Sequence, residues 1–315
     1  MSPTPTERTL INRRKAADRG DVLVPLLERL LENEVIPEDE EDFRFLDMLV
    51  RVRAIPRQSG VFSPSMLGSC MRQAWLSKRG TPKHRSQSPQ MNGYFLKGNF
   101  IHFQWQFALW KAHRAKLLRL VPVLAENEEV EMFSGGLRPG VEVRVVDGEF
   151  GGTIDALVQI AKRNYVVDFK GINLVEFQRT VRRGASAQYR KQIVGYAKVV
   201  NRKLGLDITD CLLVSECKAG PLGGRGSPIA LHETLVPVAD FEGEVERRLK
   251  TLHWHDKRDE MPAPECVSTQ HMRFQECPYG GRFCHDEVLA IQRERERQAR
   301  KMNSSKNLKP AKPPR

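Results

Sequence analysis

Two short stretches restrict this chain more than any others: Gly151-Gly152-Thr153-Ile154-Asp155 and Val166-Val167-Asp168-Phe169-Lys170. Ile154, Ala156, Val158 and Ile160 recur at every second position, so residues 150–160 read as a strand with one apolar face. A turn from Ala161 to Asn164 leads into a second strand, 165–171. Strand side chains alternate, which leaves Thr153 and Asp155 off the apolar face and sends Asp168 and Lys170 one way, Phe169 the other. Paired, the two strands set two carboxylates and an ammonium at neighbouring positions. Such a group suits a divalent cation and the activation of a water, the equipment needed to cut a phosphodiester.

The rest of the pattern builds around that pair. Residues 1–20 are polar and basic and read as a disordered arm. Residues 21–58 read as helical through Leu23, Leu26, Leu27, Leu30 and Leu31, break at the acidic run Glu38 to Asp42, and resume from Phe43 to Val52. Ser63-Pro64-Ser65 starts a short helix that carries Cys70, Arg72 and Trp75. A polar loop, 80–92, precedes a helix from Gly98 to Leu120. Val141, Val143 and Val145 alternate along a strand, and Asp147-Gly148 supplies a hairpin turn. A helix at 185–203, a strand at 208–217, a glycine-rich loop at 219–227, a strand at 229–236 and a helix at 239–257 follow. Residues 259–286 are irregular and hold three cysteines, and 287–302 read as a charged helix before a basic tail. This order predicts an α/β fold with a mixed central sheet flanked by helices. The domains expected are a basic arm and helical segment at 1–58, a core at 59–258, a cysteine-bearing cap at 259–286 and a basic tail at 287–315.

Charge narrows the class of partner. The 315 residues carry 51 Lys and Arg against 39 Asp and Glu, a formal net charge of +12. That balance favours a polyanion, nucleic acid above all, although basic tails alone would give the same total. No run reaches the ~18 apolar residues of a membrane span. The opening Met1 to Arg8 has no apolar stretch of a secretory signal, so a cytoplasmic protein without membrane contact is expected. Its six cysteines are then better suited to metal ligation or burial than to disulfides.

Single residues are less decisive. Asp168-x-Lys170 has a second version, Glu216-Cys217-Lys218, at the end of another strand, and an ordinary surface ion pair would explain either. His102 stands among Phe100, Phe103 and Trp105, where a core histidine is the plain alternative to a ligand. Gln192 and Tyr196, four apart, share one helix face; they could bond a phosphate, a base or the lysine, or be simple helix surface. Arg179, Arg182, Arg183, Arg190 and Lys191 gather between the lysine strand and that helix, as a phosphate-binding set or a solvated basic face.

Taken together, Gly98-x-x-x-His102, Gly152-x-x-Asp155, Asp168-x-Lys170 and Gln192-x-x-x-Tyr196 resemble, in that order, the motifs of the RecB-like branch of the PD-(D/E)XK nuclease superfamily. The resemblance covers roughly residues 60–285. It implies the restriction-endonuclease-like core, with His102, Asp155 and Asp168 as ligands to Mg²⁺ or Mn²⁺. Lys170 would be the catalytic lysine, and Gln192 and Tyr196 would place the substrate. The implied activity is hydrolysis of DNA, as an exonuclease on single strands or ends, in recombination, repair or phage DNA metabolism. A helicase or recombinase would be the protein partner. A structure-specific endonuclease of the same fold and a catalytically idle DNA-binding accessory protein are the alternatives.

Cys70, Cys266, Cys277 and Cys284 bracket the core. They look like the iron–sulfur subset of this branch, which includes AddB and the CRISPR-associated adaptation exonucleases. In that subset a 4Fe–4S cluster ties the two ends of the domain together. The contexts Ser63-x-Ser65, Cys70-x-Arg72 and Cys277-Pro278-Tyr279 fit it, with Arg72 as a further DNA contact. The subset's close C-x2-C pair is missing from the C-x10-C-x6-C spacing seen here, so zinc and scattered structural cysteines stay as alternatives. Cys211 and Cys217, six apart on one strand, read as buried thiols, and His253 and His255 as the end of a helix.

Overall fold

The computed structural model describes residues 21–30, 35–54, 60–83, 89–124, 137–218, 230–266, 268–270, 274 and 277–306. The arm at 1–20, the loop at 219–227 and the end of the tail from 307 lie outside the described residues. The helices are α1 (Val24–Leu30), α2 (Glu40–Ala54), α3 (Met71–Lys78), α4 (Pro89–Arg114), α5 (Leu174–Arg183), α6 (Ala187–Leu204), α7 (Val238–Lys257) and α8 (His285–Lys306). The strands are β1 (Arg119–Leu120), β2 (Val123–Leu124), β3 (Leu137–Arg138), β4 (Val141–Asp147), β5 (Phe150–Ile160), β6 (Arg163–Ile172), β7 (Asp210–Cys217) and β8 (Leu231–Pro237). No described helix is long and apolar enough to cross a membrane.

The chain forms two compact units, Met1–Gly68 with Ser88–Leu249 and Ser69–Gln87 with Lys250–Arg315. Helices α1 and α2 share a core with the sheet, because Leu23, Leu27, Phe45, Met48 and Leu49 bury their side chains with Trp105, Leu109, Val167 and Phe169.

The first unit is an α/β fold around a mixed sheet. β1 and β4 both pair with β5, and the order continues β5-β6-β7-β8. All neighbours are antiparallel except β6 and β7, which run parallel from Val166↔Cys211 to Ile172↔Cys217. A parallel pair needs a crossover, and α5 and α6 supply it. Side chains of β6 alternate as its sequence predicts. Phe169 stacks on Trp105 of α4 at 6.3 Å, with Val167, Leu212 and Val214 in the same core. Asp168, on the opposite face, receives a hydrogen bond from Gln192 of α6. The sheet is thus buried on both faces, and it carries its site on the side of α6.

Some elements differ from their sequence reading. The expected short helix from residue 63 is two pieces, a 3₁₀ turn at Pro64–Gly68 and then α3, with Cys70 at the N-cap of α3. Helix α4 starts nine residues before Gly98 and ends at Arg114, and β1 begins five residues on, at Arg119. Helix α5 was not expected. It begins where the Asn173 side chain accepts a hydrogen bond from Glu176 N–H, and only Phe177 and Thr180 are buried, too narrow a stripe to register as periodic. The strand β6 starts at Arg163 because Ala161 and Lys162 form a two-residue turn, both with positive φ, +48° and +67°.

Two buried carboxylates attach the N-terminal helices. Glu233 of β8 accepts the backbone N–H groups of Val22, Leu23 and Val24 at 2.7–2.8 Å, filling orphan donors at the start of α1. Asp42 of α2 accepts from Glu38 N–H, Trp110 Nε1, Lys111 Nζ and Arg114. Burial alone would push the Asp42 carboxyl up, but those four donors together hold it down at about 2. A depressed carboxylate stabilises the fold above its ordinary pKa near 3.8 and loses that contribution as pH falls toward 2. Replacing Asp42 with Asn is expected to cost about 2 kcal/mol at pH 7, and urea melts of the two proteins should converge as pH approaches 2.

Candidate active site

The site begins where β5 and β6 part. Their register runs from Ile160↔Arg163 to Ala156↔Val167 and stops there. One step further would set Asp155 against Asp168. Instead the Asp155 carboxylate accepts the hydrogen bond of Phe169 N–H at 2.7 Å, taking over a backbone donor that the ladder no longer satisfies. Beyond this point β5 continues along β4, and β6 along β7.

Into the opening comes His102 of α4, its Nδ1 2.9 Å from Asp155 Oδ2. Asp168 is buried, with Lys170 Nζ 3.0 Å from Oδ1 and 2.7 Å from Oδ2. Gln192 Nε2 donates to Asp168 Oδ1 at 3.2 Å. The Tyr196 ring lies over Gly152: a Cβ there would stand 3.1 Å from Tyr196 Cε1 and 3.2 Å from Pro64 Cδ. Thus all four motifs of the sequence meet in one region of the first unit.

The electrostatics are those of charges crowded out of water. Burial pushes Asp168 up to about 6; Lys170 opposes the shift and the charge of Asp155 adds to it. Burial acts on Asp155 the same way, but His102, Lys170 and Phe169 N–H hold it below the usual carboxylate range. Burial disfavours imidazolium at His102, yet the charge and hydrogen bond of Asp155 raise it overall. Two carboxylates forced together split in this manner, one ionised and one pulled toward its acid form.

Three supporting residues were not singled out from sequence. Gln106, fully buried on α4, donates through Nε2 to the Asp155 carbonyl at 3.0 Å and to Glu142 Oε1 at 2.7 Å. Arg53 of α2 closes the network on Glu142 Oε1, Gln106 Oε1 and the carbonyl of Asn99. Glu142 sits at a positive φ of +48°, opposite Asp155 in the β4–β5 register. The one legible signal was Gln106 itself, a turn beyond His102.

The basic residues divide. Arg179, Arg182 and Arg183 are exposed on α5. Arg190, by contrast, donates to the carbonyls of Ala185 and Arg183, and Lys191 pairs with Glu244 at 2.8 Å. These two act as internal ties rather than as free phosphate contacts.

The donor set matches a hard cation. It offers one imidazole and two carboxylates, and Asp168 Oδ2 is buried without a hydrogen bond although Lys170 lies beside it. Among the described residues no three His, Cys, Asp or Glu side chains are already gathered about one ion position. The Asp155–His102 and Asp168–Lys170 pairs hold these groups against each other.

The second unit holds four of the six cysteines, Cys70, Cys266, Cys277 and Cys284, and all six are free thiols. Cys70 Sγ receives the Glu265 N–H at 3.4 Å, and Gln73 Oε1 lies 3.9 Å from Cys277 Sγ. Cys284 is buried with Phe274 and Val288, against which Cys266 and Phe283 pack. Burial pushes the Cys284 thiol up, with Arg72 pulling the other way and the neighbouring Cys277 and Cys70 adding to the rise. Arg72, expected as a DNA contact, points inward instead. Its guanidinium is buried, bonded to the carbonyls of Pro262 and Phe283 and paired with Glu287 at 2.8 Å. Cys211 and Cys217 are buried in the first unit, the former against the Ile193 carbonyl and the latter with Ile172 and Phe177. His253 and His255 lie in the last turns of α7.

No family model matches the sequence, and no curated protein matches it. Among solved structures, the chain is similar to an alkaline exonuclease, LHK-Exo, from Laribacter hongkongensis, at 12% identity and a TM-score of 0.38, over 63% of this chain and 91% of that one. The same enzyme in complex with dAMP matches at 15% identity and a TM-score of 0.36, over 70% and 95%. The structure of SSO0001 matches at 13% identity and a TM-score of 0.39, over 79% and 98%.

Replacing Gln106 with Leu strands the Asp155 carbonyl and the Glu142 carboxylate in a buried space. It is expected to cost roughly 2–3 kcal/mol in a thermal or urea melt, whereas Gln106→Glu should cost more, because it sets a second carboxylate against Glu142.

Proposed function

We propose that this chain is a metal-dependent deoxyribonuclease of the PD-(D/E)XK type, acting from DNA ends as an exonuclease. The observation that carries this reading is the meeting of His102, Asp155, Asp168 and Lys170 where β5 and β6 separate. Mg²⁺ or Mn²⁺, held by His102, Asp155 and Asp168, would lower the pKa of a water and polarise the scissile phosphate. Lys170 holds a positive charge beside Asp168, where it can orient the attacking water and offset the charge that builds on the phosphoryl oxygens. Gln192 fixes the Asp168 carboxylate, and the missing side chain of Gly152 lets the Tyr196 ring pack over β5 beside the site. Exposed Arg179, Arg182 and Arg183 would hold the strand through salt-sensitive phosphate contacts.

In the second unit, Cys70, Cys266, Cys277 and Cys284 are proposed to ligate a 4Fe–4S cluster. Support comes from four thiols in one compact unit, with Cys277 and Cys70 near enough to Cys284 to help raise its thiol. The role would be to tie two distant chain segments together. Zinc is the alternative occupant.

End-labelled single- and double-stranded DNA tests the reading. Cleavage should require Mg²⁺ or Mn²⁺, stop with chelator, and fall at least a thousandfold in Asp168→Ala and Lys170→Met. Unchanged cleavage in Asp168→Ala would refute the assignment, and degradation of closed circular single strands would make the protein an endonuclease. Purified without oxygen, the protein should be brown, with broad absorbance near ~400 nm and about four irons per chain. Cys284→Ser should lose both; a colourless protein carrying zinc would replace the cluster with the alternative.

A further inference from the structure

Lys170 makes a contact that the four sequence motifs leave out. Its Nζ stands over the ring of Tyr189, 5.2 Å from the ring centroid, within the range at which an ammonium is drawn to an aromatic face. Tyr189 comes from the first turn of α6. Ser186 is the N-cap there, and its hydroxyl accepts the Tyr189 N–H at 3.5 Å, which fixes where the helix starts. Tyr189, Gln192 and Tyr196 then follow at i, i+3 and i+7. One face of α6 thus delivers a ring to Lys170, an amide to Asp168 and a second ring to Gly152. The Tyr189 ring is itself held, because it packs against Ile172 of β6, Phe177 of α5 and Cys217 of β7.

The chemistry of the lysine favours such a neighbour. Its ammonium is a point charge on a flexible four-carbon stem, and a carboxylate alone leaves it several orientations. A second carboxylate would hold it at the cost of more negative charge beside an incoming phosphate. A ring face attracts the ammonium with no net charge of its own. A cation on Asp168 would also compete with the ammonium for the two carboxylate oxygens it now meets at 3.0 and 2.7 Å, whereas the ring competes with neither.

We propose that Tyr189 is a positioning residue for the reaction: its ring holds the Lys170 ammonium in the orientation that serves the attacking water and the scissile phosphate. This rests on the nuclease reading above. The ring face acts here and the hydroxyl does not, so phenylalanine can take its place and an aliphatic residue cannot.

The full chain and three variants test this: Tyr189→Phe keeps the ring, and Tyr189→Leu and Tyr189→Met remove it. Circular dichroism checks that each is folded. The contact is read without any substrate, from proton–carbon NMR spectra of protein carrying ¹³C-labelled lysine, with Lys170→Arg to identify the Lys170 signal. The ring current should move the Lys170 ε-protons upfield of those of exposed lysines in wild type and Tyr189→Phe, and the shift should vanish in the Leu and Met variants. On end-labelled single-stranded DNA with Mg²⁺, loss of the ring should lower kcat about five- to tenfold with KM little changed, the size of one ammonium–ring contact made in the transition state. Tyr189→Phe should stay near wild type. Full kcat in both aliphatic variants would overturn the proposal, and so would a loss in Tyr189→Phe as large as theirs, which would give the role to the hydroxyl. An unshifted Lys170 signal in wild type would overturn it independently. No cleavage by any form of the protein would refute the nuclease reading, leaving the NMR signal to decide whether the ring holds the lysine.

Discussion

The parting of β5 from β6 after Ala156↔Val167 is the constraint on which the site depends. A β-ladder that ends inside a sheet leaves backbone donors to be satisfied, and here the Asp155 carboxylate satisfies one, at Phe169 N–H. That single bond turns a side chain that would otherwise lie opposite Asp168 into a bridge between strands. It also opens a gap through which α4, on one face of the sheet, can send His102 to meet Asp155. The Gln106–Glu142–Arg53 network holds the Asp155 backbone from behind, so the gap is fixed on strand, helix and second helix at once. A site built on such elements is more rigid than one carried on loops.

Burial then decides the chemistry of the groups that meet. In water, an aspartate and a lysine two residues apart form a pair worth little. Around Asp168 the solvent is excluded, and desolvation raises its carboxyl to about 6 even with an ammonium 2.7 Å away. The protein spends stability to keep these charges together, a pattern found where structure serves function.

Much of the architecture was legible in the chain because period-two alternation on β4, β5 and β6 is strong, and because Asp147-Gly148 marks its turn openly. The second hairpin was harder to bound: Ala161 and Lys162 adopt positive φ without glycine, so no turn residue marks where β6 begins. Helix α5 escaped because its buried stripe is two residues wide. At the site, His102, Asp155, Asp168, Lys170 and Gln192 were joined by the resemblance of their order to nuclease motifs, and they do lie together. Arg53, Glu142 and Gln106 did not, because they meet across separations of 36 to 89 residues that only the fold closes. The same reason hid the partners of Arg72, which lie some 190 to 215 residues further along the chain.

The division of the chain into its two units has a consequence for synthesis. Residues 69–87 belong with 250–315, whereas everything between them belongs to the sheet unit. On a ribosome moving at about 5–20 residues per second, α3 emerges roughly 10–30 seconds before its companions. During that interval Trp75 and Leu76, which end up buried with Cys277 and Tyr279, have no lasting cover. The nascent chain is thus left with an adhesive helix that a chaperone must shield or the growing sheet unit must tolerate.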